Sequence, residues 1–169
     1  KLMHQMHEQI EAEKQTYRKY LVNGYDMLNS SAEEMDCLLH PILPRSGVAA
    51  LVGSSDSGKS TLLRGLAMAV ASGRSSYLGF ELRPKHRSAL YIATEDDASA
   101  VSVLMQRQIE ELGVAKESFA SLDFIFEVEN LVANLDKLLE DKPRDLVIVD
   151  AFADLYSGPL NENNRVRSF

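Results

Sequence analysis

Two glycines, a lysine and a hydroxyl stand in this chain in an order suited to holding phosphate. Gly53-Ser54-Ser55-Asp56-Ser57-Gly58-Lys59-Ser60 closes on a lysine and a serine, with Thr61 directly behind. A polyphosphate needs many donors at once. A glycine-bounded loop turns its backbone N–H groups inward, and the helix that follows adds the positive end of its dipole. Gly53 and Gly58 let the backbone turn and approach closely. Lys59 places an ammonium on the β and γ phosphates, and the Ser60 hydroxyl ligates the Mg2+ that bridges the same phosphates. This pattern is a P-loop. With glycine near 7% of residues, two glycines at this spacing arise by chance at about 0.5% of positions, before lysine and serine are required.

Phosphate chemistry also needs acids at the edge of the cradle. Leu146-Val147-Ile148-Val149 is an uninterrupted apolar run ending in Asp150, the form of a central strand buried on both faces. Ligands of open α/β sheets bind at the carboxyl ends of strands, so Asp150 is expected beside the P-loop, holding Mg2+ through water. A turn or helix-capping aspartate is the bland reading of Asp150; its pairing with a P-loop favours the metal role. Tyr91-Ile92-Ala93-Thr94-Glu95-Asp96-Asp97 ends a second strand with three acids on that edge. Glu95, nearest the strand end, is best placed to orient or deprotonate an attacking water. Asp97 is better explained as a helix cap. Asp96 either holds a neighbouring loop or is solvated.

The elements that must position these groups follow from periodicity and punctuation. Val48–Val52 is a β-branched run leading into the loop, and Thr61–Ser72 reads as a helix stopped by Gly73. Tyr77–Leu82 reads as extended, and the basic turn Arg83-Pro84-Lys85-His86-Arg87, expected to be solvated, separates it from a strand at Ala89–Ala93. Ala98–Leu112 places Val101, Leu104, Met105, Ile109 and Leu112 on one helical face, with Asp97 as N-cap and Gly113 as stop. Leu122–Val128 alternates as a strand, Asn130–Asp141 is amphipathic, and Pro143 breaks the chain before Leu146. Strand and helix alternate, which predicts an α/β fold with a mostly parallel sheet and helices on both faces.

The N-terminal stretch reads differently. Met3, Met6, Ile10, Tyr17 and Tyr20 form a three-four stripe interrupted by Glu13, an amphipathic helical arm that packs on its own domain or on a neighbouring subunit. His4 and His7 are solvated in this reading, because nothing completes a metal site around them. Ser31 and Glu34 form a capping box for a short helical turn through Leu39, and Pro41 and Pro44 end it. Residues 1–39 are therefore expected to be the arm and residues 40–169 the core. At 169 residues, 45% of them hydrophobic, the chain suits one domain with a sizeable core. A net charge of −7 argues against coating nucleic acid non-specifically. A lone Cys37 excludes an intramolecular disulfide and reads as a small buried apolar side chain. No apolar run reaches membrane-spanning length and no signal peptide is visible, so a cytoplasmic location is expected.

Together, Gly53–Thr61, Leu90–Asp96 and Leu146–Asp150 resemble the RecA-like P-loop ATPases, and most closely the RepA-type hexameric replicative helicase branch of AAA-family ATPases. The resemblance covers residues 40–169. It implies ATP as the nucleotide, Glu95 as the catalytic glutamate, and Mg2+ contacts from Ser60 and Asp150. It also implies a homo-oligomeric ring such as a hexamer, acting on DNA, single-stranded DNA included, in replication, recombination or a mobile element. Asn161-Glu162-Asn163-Asn164 resembles that branch's acidic-asparagine turn, in the region of a DNA-facing loop, with Asn161 standing where Asp is usual. A sensor strand is implied after Asp150 in sequence but between the P-loop and Asp150 strands in the sheet, so an incomplete core is expected here. Two other classes remain open: a nucleotide-gated switch or scaffold with little turnover, and a small-molecule P-loop kinase, which would need an acceptor site and an arginine-bearing lid.

Overall fold

Contacts divide the chain into two units, residues 1–35 and 36–169, and the computed structural model describes residues 21–29, 34–126 and 131–155. In the first unit, helix α1 (Gly24–Asn29) is a single exposed stretch opened by Asn23, whose Oδ1 accepts from the Tyr25 N–H at 2.8 Å. The expected stripe from Met3 to Tyr20, with His4 and His7, lies outside the described residues, as does Ser31 of the capping box.

The second unit runs β1 (Cys37–His40), β2 (Leu43–Pro44), α2 (Lys59–Ala71), β3 (Ser76–Tyr77), β4 (Phe80–Leu82), β5 (Ala89–Ala93), α3 (Ala98–Leu112), β6 (Leu122–Ile125), α4 (Leu131–Asp141) and β7 (Leu146–Asp150). Single 3-10 turns lie at Lys116–Phe119 and Phe152–Leu155. Strand β5 is buried along its whole length and is the middle of a parallel sheet ordered β6-β5-β7. Its side chains alternate between two cores. Ala89, Tyr91 and Ala93 meet Leu66, Met68 and Val70 of α2, whereas Leu90 and Ile92 meet Leu131 of α4. This period of two gives the α/β arrangement expected from the sequence, with helices on both sheet faces. Met68 and Val70 are fully buried, each stabilising the fold by about 1.5–3 kcal/mol relative to exposure. Ala67, Ala69 and Ala71 alternate with them and are buried too, small enough to let α2 lie close against β5.

Helix boundaries obey local signals. Asp97 Oδ1 accepts from the Ala100 N–H at 2.8 Å, and Gly113 ends α3 in the left-handed region at φ 63°, its N–H donating to Ile109 O. Arg74 Nη1 reaches the Leu112 carbonyl at 2.6 Å, placing a cation at the negative end of α3.

Four expectations are corrected. Val48–Val52 forms no strand: no described strand pairs with it, and Val48 and Val52 are 103% and 88% exposed. β-branched residues favour extended chain, but a strand exists only where a partner accepts its backbone hydrogen bonds. For the same reason β7 is an edge of the described sheet rather than its buried centre, with Val147 partly exposed. The helical turn through Leu39 is instead strand β1, pairing Leu39 with Leu82 and His40 with Glu81. Cys37, Leu38 and Leu39 are all buried, and that burial outweighs one turn of helix, which is costly to nucleate. Tyr77–Leu82 is a hairpin rather than one strand, because Leu78 and Gly79 both have positive φ (49° and 83°) and reverse the chain. The result is a four-stranded antiparallel sheet, β2-β1-β4-β3, beside the parallel one. The buried Cys37 agrees with its apolar reading.

The basic turn is held by acids. The buried Asp145 carboxylate accepts from the Lys85 and His86 N–H groups, both at 2.8 Å, and Lys85 Nζ lies 2.8 Å from Asp36. Arg83 pairs with Glu81 at 2.7 Å. Arg83 and Lys85 are therefore paired within the fold, while Arg87 is exposed.

Candidate functional site

The glycine-bounded sequence Gly53–Gly58 is a loop that ends on the bare start of α2. Gly58 sits at the N-cap at φ 85°, no side chain caps the helix, and no acid lies in its first turn. The orphan N–H groups at that end are left for an external acceptor. Lys59 folds back over the loop, its Nζ donating to the Gly53 carbonyl at 3.1 Å and the Ser54 carbonyl at 2.7 Å. Ser57 Oγ donates to the same Ser54 oxygen at 2.8 Å. These three bonds close the loop into a ring around which Ser55, Asp56 and Ser57 are exposed. Asp56 holds a left-handed conformation at φ 59°, which aspartate tolerates better than most residues. Ser60 and Thr61 lie in the first turn of α2.

The sheet brings the acids to one edge. Because β5 and β7 are parallel with Ala93 opposite Asp150, both strands end side by side. Thr94 extends the ladder: its N–H donates to the Asp150 carbonyl at 2.9 Å, its hydroxyl accepts from the Ala151 N–H at 2.8 Å and donates to the Ala151 carbonyl at 3.1 Å. Tyr91 Oη donates to Asp150 Oδ2 at 2.5 Å. Burial first, and then this bond, push the Tyr91 phenol far above its ordinary range, while the Arg64 guanidinium acts in the opposite sense and Asp96 in the same sense. Arg64 stands in the second turn of α2. Glu95 and Asp96 are exposed in the bend between β5 and the Asp97 cap, and no described donor reaches the Glu95 carboxylate.

Sequence reasoning passed over Arg64, Gln108, Tyr77 and Tyr91. Arg64 is 2% exposed; its Nε donates to Gln108 Oε1 at 2.8 Å, and Gln108 Nε2 donates to the Thr61 carbonyl at 2.9 Å. Tyr77 Oη donates to the Leu62 carbonyl at 2.7 Å. Helix α3 and the β3–β4 hairpin thus grip the first turns of α2. A charged residue inside the otherwise apolar stretch Leu62–Ala71 was the available signal.

A family model described as an AAA domain matches residues 12–169. The chain belongs to the AAA domain family. No curated protein and no solved structure shows significant similarity to it. Membership supports nucleotide-binding ATPase activity of the P-loop type, in agreement with the α/β sheet and the loop geometry. No described helix of this AAA domain is long and apolar enough to cross a membrane.

Among the described residues, no three His, Cys, Asp or Glu side chains converge as a cage for a metal. A Mg2+ held mainly by phosphate oxygens and water needs none, only one or two hard oxygen donors. Ser60 Oγ and Asp150 Oδ1 are donors of that kind, the latter free of any described partner. The residues present therefore fit a nucleotide-bound Mg2+. The turn Asn161–Asn164, with Arg165 and Arg167, lies outside the described residues.

Proposed function

We propose that this AAA domain is a Mg2+-dependent ATPase of the RecA-like, RepA-type branch that couples ATP hydrolysis to movement on DNA as a homo-oligomeric ring such as a hexamer. In this reading Gly53, Ser54, Ser55, Asp56, Ser57, Gly58 and Thr61 form the cradle and the start of its helix. Lys59 carries the counter-charge for the β and γ phosphates, Ser60 and Asp150 hold Mg2+, and Glu95 is the general base toward water. Bound Mg2+ would neutralise charge developing on the phosphates. The protein's own work is to orient: the loop amides fix the phosphates, and the strand ends present carboxylates where water attacks.

One observation carries the reading. Helix α2 opens uncapped and free of acids and packs on the sheet through Leu66–Ala71, while β5 and β7 end side by side at Asp150 and just before an exposed Glu95 that no described donor reaches. In this reading the positive potential of the helix start meets the phosphates and the Glu95 carboxylate meets the attacking water. Steady-state ATP turnover, measured with and without single-stranded DNA on wild type and Glu95→Gln, tests it. The expected outcome is DNA-stimulated turnover that falls by about 10²-fold or more in Glu95→Gln while ATP binding persists, the loss typical of a missing general base. Turnover that ignores DNA would remove the DNA role. Full turnover in Glu95→Gln would remove that residue from the chemistry.

A further inference from the structure

Asp150 is held by a side chain that no P-loop motif contains. Tyr91 stands two residues before the end of β5, opposite Ile148, so its phenol reaches diagonally across the parallel pair to the carboxylate two positions further along β7. The ring is 2% exposed and lies against Phe124, its direct partner on β6, with ring centroids 5.5 Å apart. Phe124 in turn stacks on Phe126 at 5.9 Å. Thr94 meanwhile fixes the backbone on both sides of the Asp150–Ala151 peptide. Both ends of the Tyr91–Asp150 bond are therefore anchored independently, one by aromatic packing and one by main-chain hydrogen bonds.

We infer that Tyr91 is the positioning residue of the metal site: its hydroxyl occupies Asp150 Oδ2 and so fixes the carboxylate rotamer that turns Oδ1 toward the nucleotide-bound Mg2+. The inference rests on the reading of Asp150 as a Mg2+ contact. A carboxylate at a strand end is free to rotate about χ2, and each orientation lost before binding need not be lost on binding. A buried phenol makes a suitable clamp because it donates one hydrogen bond in one direction and its ring cannot swing away. A water in its place would hold the oxygen without fixing the angle.

The test uses binding rather than turnover. Affinity for a non-hydrolysable ATP analogue is measured by calorimetry in Mg2+ and in EDTA for wild type, Tyr91→Phe and Asp150→Asn; the ratio of the two affinities is the gain from the metal. Tyr91→Phe keeps the ring and removes only the hydroxyl. It is expected to cut the metal gain by about tenfold or more, the scale of a lost hydrogen bond to a charged group, while affinity in EDTA stays within about twofold. Asp150→Asn is expected to abolish most of the gain. If Asp150→Asn loses the gain and Tyr91→Phe retains it, the positioning role is overturned and the Asp150 reading survives. If Asp150→Asn retains the gain, the Asp150 reading falls and takes the inference with it. If Tyr91→Phe weakens binding equally in Mg2+ and EDTA, the hydroxyl serves the fold rather than Asp150, and the inference is overturned.

Discussion

Lys59 and Asp56 place opposite charges on the same short loop, and their effects on nucleotide should oppose each other. Lys59 is the one cation of Gly53–Ser60, so Lys59→Ala is expected to abolish tight ATP binding; calorimetry with ATP checks it, and unchanged affinity would remove the P-loop assignment. Asp56 brings a carboxylate and a left-handed φ into the cradle. Asp56→Gly removes the charge and suits that backbone. It should tighten nucleotide binding by about two- to fivefold at low salt, the size of a surface charge effect at a helix N-terminus, and much of that gain should vanish in high salt. Asp56→Asn, which removes only the charge, should show the same salt-dependent part. At this scale the sequence was informative. A motif whose chemistry sits in eight consecutive residues can be read without knowing the fold, and the closed loop with Lys59 on its carbonyls agrees with it.

Helix α2 is gripped from two sides, and the grip predicts coupling between elements that are distant in sequence. Gln108 satisfies both Arg64 Nε and the Thr61 carbonyl. Gln108→Leu would leave both without that partner and is expected to cost about 1–3 kcal/mol, read as a lower urea midpoint with an unchanged slope. Gly65 faces the same junction: a Cβ there would stand 2.6 Å from Tyr77 Oη and 3.2 Å from Gln108 Nε2. Gly65→Ala should therefore push the β3–β4 hairpin off α2 and break the Tyr77–Leu62 bond. Combining it with Tyr77→Phe, which removes the clashing oxygen, should cost less than the sum of the two single changes; a double-mutant cycle on urea midpoints measures the difference. Additive costs would mean the hairpin yields elsewhere. Neither Gly65 nor Gln108 carries a local signal of this role, because each matters only through what the fold sets beside it.

At the scale of the whole molecule, paired carboxylates set the acid limit. Burial raises the Asp123 carboxyl, but hydrogen bonds from Arg144 and Lys142 outweigh it and leave it below its usual range. Hydrogen bonds from Lys85 and then Arg45 lower Asp36 in the same way. A carboxyl depressed on folding stays ionised in the folded chain where the unfolded chain has begun to take up a proton. Its stabilisation is thus full above the ordinary value of about 3.9 and is lost as pH falls through the lower folded value. Stability should drop below about pH 4. Asp123→Asn should be less stable than wild type at pH 7 and converge on it as the pH falls into that range. Urea midpoints from pH 7 downward check this, and a constant difference across the range would contradict it.

What the residues determined alone is what their neighbours in sequence can complete: the glycine-bounded loop before α2, the Asp97 and Gly113 caps, the span Ala98–Leu112, and the strand Ala89–Ala93 with acids at its end. Each depends on backbone conformations and hydrogen bonds within a few residues, so composition and spacing suffice. Only the tertiary structure decided that Tyr91 takes hold of Asp150, 59 residues away, and that Arg64 is buried against Gln108, 44 residues away. It also decided that Cys37–Leu39 is strand while Val48–Val52 is not. Strand pairing and burial are contributed by a partner at long range, and a run of β-branched residues states a preference for such a partner without containing it.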